Sequence, residues 1–329
     1  MSPDAAGMPR RTAATATLAA IATLAVLATL GVTATGARAA APLPSVSTGS
    51  AGAVTFDSAT LHGALRPHGS DTSYYFQFGL TNAYGSQTTI ADAGAGTTNV
   101  NVALPITGLQ PLTVYHYRLV AVNATGAATG KDKTLLTTKV PLSLQILTSP
   151  NPVLFGGMIT VQGTLSGTEN AGRAVVLQAN QFPFTAGFQN APANPELTTA
   201  TGGFSFLLPG LTQVTQFRVV TTTNPPVISP VATENVAVRV TGHLGRAKRR
   251  HFARVYGTVS PAEDGMKVAI LRIAHGRGVL VGGTVLVHAN ATSSRFSRAV
   301  PVKRGVYRVL VQVTNGAQVS NYSQPLLVG

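Results

Sequence analysis

From about residue 54 onward, apolar and polar positions alternate with a period of two, in short runs broken by turn-forming clusters. Residues 58–66 set Ala59, Leu61, Gly63 and Leu65 against Thr60, His62, Ala64 and Arg66. Tyr74, Phe76 and Phe78 share the next face, then Thr98, Val100, Val102 and Leu104. In 114–122, Tyr115, Tyr117, Leu119 and Ala121 oppose His116, Arg118, Val120 and Val122. Such alternation, rich in β-branched and aromatic residues, predicts strands buried on one side. Residues 67–71 (PHGSD) and 123–126 (NATG) supply the turns between them. The pattern continues through 158–165, 173–179, 202–206 and 216–220, and no amphipathic helix of normal length interrupts it. The expected fold is all-β: three tandem antiparallel Greek-key β-sandwiches over 54–138, 142–238 and 239–329, with 40–53 a flexible leader and the last strand of the first module leading into a short Pro-bearing linker over 137–141.

The stretch 109–123, LQPLTVYHYRLVAVN, carries the most specific motif. Its Leu-x-Pro-x-Thr-x-Tyr places Tyr115 where a tyrosine corner ties a hydroxyl back to upstream backbone. Together with ATLHGALRPHG, YYFQFG and AYG, it resembles a fibronectin type III module of the bacterial exported kind, over about 85 residues. The chain departs from that family at Gly63, which stands about where many members carry a core tryptophan, and it has no Arg-Gly-Asp triplet, so an integrin-type loop is not implied. The second and third modules resemble each other. MITVQGTLSGTENAGRAVVLQ parallels FARVYGTVSPAEDGMKVAILR, and GFSFLLPGLTQVTQFRVVTT parallels RFSRAVPVKRGVYRVLVQVT. Both resemble immunoglobulin-like, or carboxypeptidase-regulatory-like, modules of exported proteins.

The N-terminus changes the setting. Arg10 and Arg11 precede an apolar run over 13–32 and then Ala37-Arg38-Ala39, the layout of a signal peptide cleaved after Ala39. The run is long enough for a membrane anchor if it stays uncleaved, the only route to membrane contact this reading allows. The chain contains no cysteine, which excludes disulfides, thiol catalysis and cysteine-ligated zinc.

Charge is uneven. Residues 40–238 hold seven Lys or Arg and seven Asp or Glu, whereas 239–329 hold fourteen and two. Arg246, Lys248, Arg249 and Arg250 crowd into five positions, followed by His251, and Lys303 and Arg304 fall in a later turn, preceded by Arg295 and Arg298. Two readings fit: a solvated basic face, or a site for anionic or polysaccharide surface polymers. Phe252, Tyr256, Phe296 and Tyr307 fit core or cap positions, so the aromatic interleaving wanted for single-stranded nucleic acid is poor. Residues 181–194 (QFPFTAGFQNAPAN) form either a cap on the sandwich end or an exposed contact loop. No motif for a nucleophile, a phosphate-cradling loop, a metal or another cofactor is present, and the histidines never form ligand-like pairs. The sequence therefore predicts a non-enzymatic, secreted or surface-associated structural or adhesive protein. Its partners would be surface polymers or other surface proteins.

Overall fold

The computed structural model describes residues 41–192 and 195–329. The predicted signal peptide lies outside the described residues. Among the described residues every regular element is a strand. Three buried hydrophobic clusters organise them.

In the first, Ser45–Thr48, Ser58–Arg66 and Val100–Thr107 form one sheet, and a six-stranded sheet centred on Thr72–Gly79 and Val114–Asn123 forms the other. Leu61, Phe76, Tyr117 and Leu119 fill the space between. The second module repeats the plan with Ser143–Ser149, Gly157–Ser166 and Gly203–Leu211 facing a sheet built on Ala174–Gln181 and Thr215–Thr221. In the third, Phe252–Ser260 lies between Arg239–Val240 plus His243–Arg246 on one side and Ser293–Pro301 on the other. The facing sheet holds Lys267–Ala274, Arg277–Val285 and Gly305–Gln312. The alternation read from the sequence is the cause. One residue in two points inward, and burial of those side chains at roughly 25 cal/mol per Å² drives the two sheets together.

One boundary differs from the sequence expectation. Residues 45–48 are not leader; they pair antiparallel with residues 63–66, Ser45 opposite Arg66 and Thr48 opposite Gly63. Ser-Val-Ser-Thr offers a single large apolar residue, too little alternation to announce a strand, and the ladder hydrogen bonds hold it instead. Gly63 explains why the tryptophan is absent. A Cβ there would lie 2.7 Å from Leu119 Cδ2 and 2.9 Å from the Ser47 carbonyl oxygen.

The Tyr115 hydroxyl accepts a hydrogen bond from the Gln110 backbone N–H at 3.0 Å. Two residues on, the Tyr117 hydroxyl donates to the Gly49 carbonyl at 2.9 Å and accepts from the Ala51 N–H at 2.7 Å, fastening the start of the first module.

Neither connection between modules is loose. Val140 N–H donates to Thr168 Oγ1 at 2.9 Å, Thr168 N–H donates to the Val140 carbonyl at 3.1 Å, and Lys139 pairs with Glu169 at 2.7 Å. Residues 235–238 are held from both sides. Phe155 N–H donates to the Ala237 carbonyl, while Val319 N–H donates to Val236 and Val238 N–H to Val319. These two junctions lie at opposite ends of the second module's strands, so the modules run head to tail.

Candidate functional site

The third module is polarised along its strands. The end that meets the second module carries its two acids. Glu263 is buried and accepts from Asn315 Nδ2 at 2.9 and 3.1 Å, and burial raises its pKa above the usual carboxylate value. Asp264 accepts from Ser294 Oγ and pairs with His288 at 3.2 Å.

The opposite end is formed by the connections 247–251, 275–276 and 302–304. Arg246 ends its strand there opposite Ala253. Lys248, Arg249 and Arg250 lie in the following turn, whose last residue, His251, has φ of +62°. The Val302 N–H donates to the His251 carbonyl at 3.0 Å, which brings the turn carrying Lys303 and Arg304 beside the first. All six predicted residues therefore share one end of the module, and all are exposed. Arg272 reaches the same end, donating through Nη2 to the Arg304 carbonyl at 3.5 Å. None of the six takes part in the four ion pairs among the described residues. Cations this close repel one another within a Debye length of about 8 Å, and an anion relieves that cost.

Tyr307 fixes this end in place. Its ring is fully buried, while its hydroxyl accepts from Lys303 N–H at 2.8 Å and donates to the Lys303 carbonyl at 2.9 Å. The basic turn is thus a tyrosine-fastened corner, analogous to the one at Tyr115. Tyr307 is a core or cap residue on the sequence reading; its tie to Lys303 needed the three-dimensional corner.

Tyr256 corrects the sequence reading. It is not a core or cap residue but points outward, 39% exposed. Its partners in register are His243 on one side and Ser297 on the other. The rung towards the basic end holds Gly245, Arg254 and Ala299, and the rung on the far side pairs Thr258 with Arg295, with the Thr241 hydroxyl 2.8 Å from that of Thr258. Arg254 lies 5.3 Å from the Tyr256 ring and donates through Nε to Ser297 Oγ at 2.7 Å. His243 lies tilted against the same ring, its centroid 5.5 Å away. The period-two register of 252–260 was the available signal: it puts Arg254, Tyr256 and Thr258 on one face and Val255, Gly257 and Val259 on the other. Two hollows open along this outer face. One of about 620 Å³ is bordered by His243, Arg254, Tyr256, Arg295 and Ser297. The other, about 570 Å³, is bordered by Arg246, Lys248, Arg249, Phe252, Arg254 and Ser297. Arg254 and Ser297 border both, so the hollows adjoin.

Elsewhere, the phenylalanine-rich loop splits its rings. Phe182 lies edge-on to Phe184 at 5.7 Å and covers Gly316 of the third module, where a Cβ would sit 2.8 Å from the ring. Phe188 lies under Arg218, 4.3 Å from its guanidinium carbon. All three are half-buried, and the loop caps the sandwich end at the junction. In the first module His116 is not a free face residue but pairs with Asp132 at 2.8 Å, and Tyr84 donates to the same carboxylate at 3.0 Å. Burial and the neighbouring Asp132 raise the Tyr84 pKa. Among the described residues no group of three or more His, Asp or Glu side chains gathers as a metal site would require.

No family model matches the chain, and no curated protein matches it by sequence. Among solved structures it is similar to the FN1–FN3 domains of chicken CNTN1, over 86% of this chain and 96% of that one, at 11% identity and a TM-score of 0.30. It is also similar to a tetra-tandem repeat from the extending region of a large adhesion protein, over 86% of this chain and 74% of that one, at 16% identity and a TM-score of 0.28. These likenesses transfer no residue and no ligand. The sheets themselves make the chain an all-β tandem of antiparallel β-sandwiches.

Proposed function

We propose that the chain is a non-catalytic structural or adhesive protein of the cell exterior, and that its modules act as a stiff spacer presenting the basic third module. The observation that carries this is the pair of junctions: Thr138 is hydrogen-bonded to Thr55 of the first module and Val140, two residues on, to Thr168 of the second, while residues 235–238 are bonded to the second and third modules, leaving no free linker. The export-type N-terminus and the lack of cysteine support the location. Hydrogen exchange on the full chain, combined with small-angle scattering, tests the proposal. The Val140 and Val238 amides are expected to be protected to the same degree as neighbouring strands, and the scattering to fit a single extended shape. Exchange of both amides at free-chain rates removes the spacer reading.

A second reading is supported by the convergence of Arg246, Lys248, Arg249, Arg250, Lys303 and Arg304 on one end. In it the third module holds an anionic surface polymer, and its binding weakens as salt rises.

A further inference from the structure

We propose that the anionic ligand of the third module is an acidic polysaccharide, and that it lies along the outer face of the 252–260 sheet instead of only touching its basic end. This rests on the second reading above and gives it a track and a chemistry.

The track is the pair of adjoining hollows from the 246–251 turn past Arg254 and Tyr256 to Arg295. From Phe252 to Thr258 it spans seven residues of one strand, six steps or roughly 20 Å at 3.3 Å per residue. Cations stand along it at intervals. Arg249 lies at the turn, 4.5 Å from the Phe252 ring; Arg254 stands two residues on; Arg295 follows, opposite Thr258. Gly245 keeps the floor open beside Arg254, since a Cβ there would meet Tyr256 Cε1 at 3.2 Å. Of the module's two acids, Glu263 is buried, and Asp264, beside the Arg295 end of the track, has its carboxylate engaged by Ser294 and His288. Arg295 is exposed, and its side chain makes no hydrogen bond or ion pair among the described residues. Its guanidinium is free to take a carboxylate or sulfate in two-pronged fashion.

The groups between the cations select the polymer. Thr241, Thr258, Ser297 and His243 give the hollow hydroxyls and an imidazole, which match a chain dense in hydroxyls. The aromatic ring in the middle does not suit a stacked base, because Arg254 and His243 already lie against Tyr256. Single-stranded nucleic acid binds through free ring faces as well as through charge. An acidic peptide would bring carboxylates but few hydroxyls, leaving the threonine and serine rungs unused.

The test measures binding of the full chain to long polygalacturonate by fluorescence anisotropy at rising salt. Single-stranded DNA and polyglutamate of matched charge serve as comparators. Wild type is expected to bind polygalacturonate most tightly, with log K falling linearly in log salt. The R254Q/R295Q variant, and R295Q alone as the least disturbing change, are expected to weaken binding, the pair by about tenfold, as loss of charge-assisted hydrogen bonds implies. Their salt slope should also be shallower, and thermal melting should match wild type for R295Q. Unchanged affinity in R295Q and R254Q/R295Q, with binding lost in K248Q/R250Q, overturns the track and leaves the basic end as the site. DNA or polyglutamate binding as tightly as polygalacturonate overturns the polysaccharide. No binding of any polyanion by wild type at low salt removes both this inference and the reading beneath it.

Discussion

The second and third modules share several residue types in the same roles, and differ most where side chains leave the core. Gly163 and Gly257 sit mid-strand in the second strand of each. A Cβ at Gly163 would lie 2.1 Å from the Gln145 carbonyl oxygen and 2.6 Å from Phe204 Cζ; at Gly257 it would lie 2.0 Å from the Thr241 carbonyl oxygen and 2.8 Å from Phe296 Cζ. Val219 N–H donates to Ser229 Oγ at 2.9 Å, and Val309 N–H donates to Ser323 Oγ at 3.0 Å. Both serines then donate to the next carbonyl, Pro230 and Gln324. What differs is outward. The second module uses Phe182 and Gln181 to border an apolar hollow of about 630 Å³ by the junction, whereas the third carries the cationic track at its far end. Backbone approach and buried ladders fix the shared positions, and function is free to diverge on the faces they leave exposed.

The largest expected effect tests whether the glycine and phenylalanine act as a unit. Phe204→Ala and Phe296→Ala should each cost about 3–5 kcal/mol through the cavity left in the core. In the Phe296→Ala background, Gly257→Ala should remain destabilising, because the Thr241 carbonyl still blocks the new methyl. The second module contains no tyrosine, so tyrosine fluorescence during denaturation follows the first and third modules, while hydrogen exchange follows the second. Full rescue of Gly257→Ala by Phe296→Ala would show that the ring alone demands glycine and would break the proposed equivalence of backbone.

A smaller effect separates the modules at their matching aromatic, Phe217 in the second and Tyr307 in the third. Tyr307→Phe removes two backbone hydrogen bonds at Lys303 and should cost about 1–3 kcal/mol, at roughly 0.5–1.5 per bond. Tyr115→Phe, which removes one, should cost about half of that. Phe217→Tyr should gain nothing, since Phe217 is buried with no corner waiting for a hydroxyl. Urea melts of the three variants check the order, and a Tyr307→Phe cost no larger than that of Tyr115→Phe would remove the claim that the basic corner is held twice.

Much of this was legible in the sequence because a half-buried strand records its own orientation. Period-two alternation placed Leu61, Phe76, Tyr117 and Phe206 inside, and the Leu-x-Pro-x-Thr-x-Tyr motif marked the first corner. The strand over 45–48 was hidden because its pairing is backbone to backbone and its residues are mostly small and polar. The site was half legible. Charge counting found the 246–250 cluster and the 303–304 turn, which are consecutive or nearly so in sequence. Arg295, read in the sequence only as preceding that turn, and Arg254 join them through the register of two strands some forty residues apart, where Thr258 meets Arg295. A list of aromatic residues likewise assigned Tyr256 to the interior, although its own strand alternates Val255 and Gly257 inward around it.

The smallest effect concerns the two buried acids near the junction, one from each module. Glu234 is fully buried and accepts from Val153 N–H at 3.0 Å through Oε1; Thr148 lies beside its carboxyl, and Oε2 has no well-formed hydrogen bond. Glu263 has both oxygens bonded to Asn315. Burial raises both pKa values above the ordinary 4.5, with hydrogen bonding opposing the rise in each case. A carboxyl whose folded pKa is raised binds its proton more tightly in the native state. Its stabilising effect is complete below the unfolded value and is lost as pH rises from there through the folded value. The chain should therefore lose some stability as pH rises from 4.5 into the raised range. Glu234→Gln keeps an oxygen for Val153 N–H but has no proton to lose, so it should flatten that fall. Glu263→Gln should flatten it less, because Asn315 already stabilises the ionised form there. Denaturant midpoints at closely spaced pH values distinguish the two. Parallel profiles for wild type and Glu234→Gln would mean that the unpaired oxygen is solvated in solution, and that the two modules treat their junction acids alike.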